Sequence, residues 1–184
     1  MEKTNLDPVI KDSLTTPVRR NSRQTENDQP ILLSLDLGTA TRWALSNKHG
    51  RIMSGTAHFR PHRFEGGGMP YLRFLRWLNE TRDVSGEINA VYFEEVRRHL
   101  GVDAAHAYGG FLSSFTIWCE EHNIPYEGVP VSTIKKFITG KGNAGKAAVI
   151  TAVKALDHQP EDDNEADALA LLYFAREQMM RGQS

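Results

Sequence analysis

The sequence predicts an α/β fold: three antiparallel strands, then alternating helix and strand, forming a mixed five-stranded sheet flanked by helices on both faces. Three observations predict it. Apolar runs of strand length crowd residues 31–59, separated only by the short turns Gly38-Thr39-Ala40 and Lys48-His49-Gly50. Two later strand-like runs each follow a segment with helical periodicity. A strand reached through a right-handed helical crossover can then lie parallel to the first one, with helices on either face of the sheet.

Taken in order, residues 1–29 hold Pro8, Pro17 and many polar side chains with no apolar period, and read as a flexible arm preceding a single domain over 30–184. Strands are predicted at 31–37, 41–47 and 51–59. Gly66-Gly67-Gly68 and Pro70 then interrupt the chain. Tyr71, Phe74, Leu75 and Leu78 mark one face of a helix ending near Arg82. Ala90-Val91-Tyr92-Phe93 forms a fourth strand that runs into Glu94-Glu95. Ala104, Ala107, Tyr108, Phe111, Leu112, Phe115, Trp118 and Cys119 give a long core helix over about 103–122. A fifth strand spans 124–131, Ser132 is positioned to cap a short helix to Ile138, and helices follow at 146–156 and from about Asp163 through Phe174.

The 184 residues suffice for one domain with a proper core, and a content of 40% hydrophobic and 24% charged residues is that of a globular chain. No apolar stretch approaches the roughly 18 residues of a membrane-spanning helix, so no membrane partner is expected. The single cysteine, Cys119, forms no internal disulfide and falls in a core-like pattern, which suits a cytoplasmic location. The net charge of −1 conceals local patches. Glu161, Asp162, Asp163, Glu165 and Asp167 form an acidic cluster, whereas Arg97, Arg98, Lys135, Lys136 and Lys141 are basic and suit a surface that tracks phosphates.

The chemistry is concentrated in the carboxylates. Asp36 interrupts the run Leu33-Ser34-Leu35-Asp36-Leu37, and a carboxylate held there needs a metal ion, a cationic partner or a phosphate site beside the tight turn at Gly38. With the first and fourth strands adjacent, Asp36 meets the acidic end of the fourth. Alternation separates Glu94 from Glu95 onto opposite faces. In the last helix Asp163 and Asp167 are four residues apart, and Asn164 and Asp167 three, so either pair shares a face. Acids at a helix start also serve the helix dipole, which is the structural role competing for that cluster. Oxygen donors from three elements are what Mg²⁺ or Mn²⁺ prefers.

These features resemble the RuvC-like branch of the RNase H-like nucleases, the crossover junction endodeoxyribonucleases, over residues 31–176. Leu35-Asp36-Leu37-Gly38-Thr39 is similar to the first-strand motif, Phe93-Glu94-Glu95-Val96 to the fourth-strand motif, and Asp163 to Ala170 to the C-terminal helix motif. The resemblance implies an RNase H-like fold and hydrolysis of four-way or branched DNA, in recombination, repair or phage DNA processing. It further implies a homodimer and, at each site, two Mg²⁺ or Mn²⁺ ions. It makes Asp36, Glu94 and Asp167 metal ligands and Lys146 a cation near the scissile phosphate.

The fourth ligand stays open, because Asn164 stands where the family carries an acid and Asp163 lies one residue before it. A YqgF-like nuclease acting on structured RNA and a junction-binding module without turnover are the alternatives. Gly140 to Lys146 fits a G-x-x-x-x-G-K pattern, but Ala147 follows where a phosphate loop needs Ser or Thr, and a helix precedes it. Phe64 lies in a basic loop and is a weaker candidate for insertion at a branch point, and Arg42 is weaker again.

Overall fold

The computed structural model describes residues 29–96 and 101–182. Arg97 and Arg98, and nearly all of the arm assigned to residues 1–29, therefore lie outside the described residues. Five strands form one sheet: β1 (Leu32–Asp36), β2 (Ala40–Ser46), β3 (Ile52–His58), β4 (Ala90–Glu95) and β5 (Tyr126–Pro130), in the spatial order β3-β2-β1-β4-β5. β1 and β2 pair antiparallel, as do β2 and β3, while β4 lies parallel to both β1 and β5. This is the mixed sheet expected from the sequence.

Period-two alternation divides the sheet residues between two cores. Leu33, Leu35, Trp43, Leu45, Val91 and Phe93 face α1 (Met69–Ser85) and α2 (Val102–Glu121), meeting Phe74, Trp77, Phe111, Phe115 and Trp118. Leu32, Ala44, Ala90 and Tyr92 face the opposite layer: α3 (Val131–Thr139), α4 (Lys146–Lys154) and α5 (Asp163–Gly182). Gly110 in α2 leaves room for the ring of Tyr71, which a side chain there would strike. Cys119 is buried in the first core, and burial pushes its thiol up to about 12, so it is packing rather than a nucleophile.

Two element starts differ from the sequence reading. Pro70 lies inside the first turn of α1, where its missing N–H costs nothing, so the helix begins before Tyr71. Ser132 is not a cap. β5 runs directly into α3, Pro130 occupies the cap position in an extended conformation, and no side chain caps the helix. The segment with the phosphate-loop pattern connects α3 to α4, with a helix before it as the sequence implied.

Candidate active site

β1 and β4 deliver two acids to one place. Their parallel register pairs Leu35 with Phe93, so one further step sets Asp36 beside Glu94. Asp36 shares the parity of Leu32 and Ser34, and Glu94 that of Ala90 and Tyr92, so both carboxylates turn toward α5. Glu95 takes the other face, as alternation requires. The backbone of Glu94 is held by Tyr108, whose hydroxyl donates to its carbonyl at 3.1 Å and accepts from the Val96 N–H at 3.2 Å.

α5 is tied directly onto β1. The buried Ser34 hydroxyl donates to the carbonyl of Ala168 at 2.7 Å, fixing the turn that carries Asp167 against the sheet. Asp167 is thereby brought near Asp36 and Glu94, and its charge acts on both. Burial, with Asp167 and Asp162 adding to it and Arg42 opposing, raises Asp36 to about 6. Burial, then Asp36 and Asp167, raises Glu94 to about 7, with Lys135 opposing. Asp167 is raised by burial and by Asp163 and Asp162, while Lys135 and Lys146 hold it down.

The acidic cluster before and within α5 divides its labour. Asp162 caps the helix, accepting from the Glu165 N–H at 2.7 Å. Glu165 is a buried structural acid: it accepts from Ser54 Oγ at 2.6 Å and from the Glu161 N–H at 2.7 Å. Asp163 forms an ion pair with Lys146, which holds its carboxyl below the usual range. Asn164 is half-buried one turn before Asp167. Lys135 is half-buried and acts electrostatically on both Glu94 and Asp167, whereas Lys136 and Lys141 are exposed.

Sequence reasoning gave little weight to two residues that the structure brings in. Arg42 lies directly across from Asp36 in the β1–β2 ladder and faces Asp162 at 3.6 Å. Its signal was the short turn at Gly38, which fixes that register. Asp162 was legible only as one acid among five. The Phe64 loop follows β3, which runs in the same direction as β1, so the loop emerges at the same end of the sheet as Asp36. A two-pronged Arg73–Glu65 ion pair, both bonds 2.7 Å, clamps that loop, and the Phe64 ring is 93% exposed with Arg63 stacked over it.

Among the described residues, no three His, Cys, Asp or Glu side chains are grouped closely enough to hold a metal ion as they stand. The donor chemistry nevertheless fits a hard divalent cation. Half-buried acids from β1, β4 and α5 are each raised first by burial and then by neighbouring carboxylates, and a divalent cation relieves both costs.

No family model matches the chain, and no curated protein matches it in sequence. Solved structures do match. The fold belongs to the RNase H-like α/β class, with three antiparallel strands extended by parallel strands and helices on both faces. Within that class the chain is similar to Thermus thermophilus RuvC in complex with Holliday junction substrate, at 19% identity and a TM-score of 0.63, covering 82% of this chain and 97% of that one. A second T. thermophilus RuvC structure gives 21% identity and a TM-score of 0.61, covering 82% of this chain and 96% of that one. The yeast mitochondrial Holliday junction resolvase Ydc2 gives 11% identity and a TM-score of 0.57, covering 95% of this chain and 88% of that one.

Proposed function

We propose that this chain is a divalent-metal-dependent endonuclease that hydrolyses phosphodiesters at four-way or otherwise branched DNA junctions. One observation carries the reading: Asp36 and Glu94, at the C-terminal ends of two adjacent inner strands of an RNase H-like sheet, lie under the turn of α5 that carries Asp167. That the solved structures with this fold include a RuvC bound to a Holliday junction and a mitochondrial junction resolvase supports the choice of substrate.

In this reading Asp36, Glu94 and Asp167 hold the metal. Asn164 supplies a fourth oxygen, and Asp163 supports the site by holding Lys146. A pair of Mg²⁺ or Mn²⁺ ions would supply an activated water and charge stabilisation at the leaving oxygen. The residues around the acids do the positioning. Lys146, 71% exposed and paired with Asp163, is placed at the mouth of the site to offset charge developing on a phosphate. Half-buried Lys135 keeps the acid cluster from repelling an incoming phosphate. Lys136 and Lys141, with Arg97 and Arg98, track the backbone. Water attacks phosphorus and the bond to the 3′ oxygen breaks, leaving a 5′-phosphate and a 3′-hydroxyl. Paired cuts call for a C₂ homodimer, and α2, which exposes Val102 and Ile117, is the face proposed for it.

The test is cleavage of a fixed four-way junction, a flap, a linear duplex and a structured RNA by the purified chain, with Mg²⁺, Mn²⁺ or EDTA. Metal-dependent cutting of the junction is expected, with Asp167→Asn slower by about a hundredfold or more. Equal behaviour of wild type and variant would sink the reading. Tight junction binding without metal-stimulated cutting would make the chain a binding module, and preferential cleavage of RNA would move the substrate class.

A further inference from the structure

We propose that Arg42 is a built-in counter-ion of the carboxylate cluster that competes with divalent cations and weakens their binding. The inference rests on the reading that Asp36, Glu94 and Asp167 hold metal. Three observations carry it.

Position comes first. Arg42 is the antiparallel partner of Asp36, and directly opposed residues point to the same face of a sheet. Its guanidinium therefore projects on the face where α5 brings Asp167, and it approaches Asp162 to 3.6 Å.

Anchoring is the second. One terminal nitrogen, Nη1, donates to the carbonyl of Ala40 at 2.9 Å, and the other faces Asp162, itself fixed as the cap of α5. Nε is buried without a hydrogen-bond partner, and the whole side chain is only 24% exposed. Lys146, by contrast, is 71% exposed on a flexible stem. Arg42 is thus held among the acids and is not placed to reach out to a phosphate.

Charge balance is the third. Asp36, Glu94, Asp162, Asp163 and Asp167 interact with three cations, Arg42, Lys135 and Lys146. With all five acids ionised, those cations leave two negative charges, the charge of a single divalent ion. Any further cation then enters a site with no net attraction of its own, and Arg42 is the resident charge closest in register to Asp36.

The experiment is calorimetric titration of the DNA-free full chain with Mn²⁺, comparing wild type, Arg42→Gln and Arg42→Lys. Arg42→Gln is expected to bind Mn²⁺ about tenfold more tightly, and Arg42→Lys to stay within about threefold of wild type, since it keeps the charge. Arg42→Met keeps the stem and drops the charge, and it repeats the measurement if the glutamine variant misfolds. Unchanged or weaker Mn²⁺ binding in the neutral variants overturns the inference, the weaker case making Arg42 an organiser of the ligands. If wild type and Asp36→Asn alike take up no Mn²⁺, the metal reading itself falls and takes this inference with it.

Discussion

At the scale of single residues, the site is a problem of carboxylates held out of water and near one another. Asp36 and Glu94 have pKa values of about 6 and about 7 in the folded chain, against ordinary values of 3.8 and 4.5. The folded state therefore binds more protons than the unfolded state between about pH 4 and pH 7, and stability falls as pH rises through that window. Metal-free Asp36→Asn should melt about 2–6 °C above wild type at pH 8, with the gap closing near pH 4. Thermal melts in EDTA across that range check this, and equal or lower melting of the variant at pH 8 would refute it. Lys146→Gln removes an exposed cation, so it should leave the melting temperature within about 2 °C while slowing cleavage about tenfold or more. Some of this was legible from the chain. Asp36 stood out because it breaks an apolar run, and alternation chose Glu94 over Glu95. The roles of Asp162, Asp163 and Glu165 were not legible. They are decided by Ser54, 111 residues from Glu165, and by Lys146, whose approach depends on the docking of α4.

At the scale of elements, the decisive contact is α5 on β1. Ser34→Ala removes the hydroxyl that holds the Ala168 carbonyl, which should lower stability by about 1–2 kcal/mol, or roughly 2–8 °C in melting temperature. Because the same turn carries Asp167, cleavage should fall further than the small loss of folded protein explains. Melting and turnover measured on the same preparation separate the two effects, and unchanged turnover would remove Ser34 from the positioning of the site. The Phe64 loop gives a second expectation. Its Arg73–Glu65 clamp fixes the loop, while the ring itself contacts little besides Arg63. Phe64→Ala should therefore leave stability within about 0.5 kcal/mol yet weaken binding to branched DNA about tenfold, with plain duplex unaffected. Gel-shift titrations on both substrates check it. Helix positions were legible from apolar spacing, whereas the start of α3 was not. Ser132 carries the local signal of a cap, but the unbroken passage from β5 through Pro130 begins the helix two residues earlier.

At the scale of the whole molecule, the order of strands was readable because few topologies satisfy a meander followed by right-handed crossovers. The handing of alternate residues to two separate cores followed from strand parity. What could not be read was the tilt of α5 that decides which acid of the cluster faces the sheet. Metal linkage is the property to measure at this scale. Mn²⁺ at about ten times its dissociation constant should stabilise the chain by about 1.4 kcal/mol, or roughly 3–5 °C, and Asp167→Asn should lose most of that gain. A wild-type melting temperature indifferent to Mn²⁺ would contradict the proposed centre.

The bond from Ser34 to Ala168 spans 134 residues of sequence, and that separation has a consequence in time. Asp36 and Glu94 emerge early during synthesis, yet their third partner is carried on a helix added after every strand is complete. A growing chain can pair its sheet while still attached to the ribosome, but the proposed centre lacks Asp167 until α5 has left the exit tunnel and docked. The topology thus acts as a delay: a chain that has already paired all five strands still waits for the acid that α5 carries.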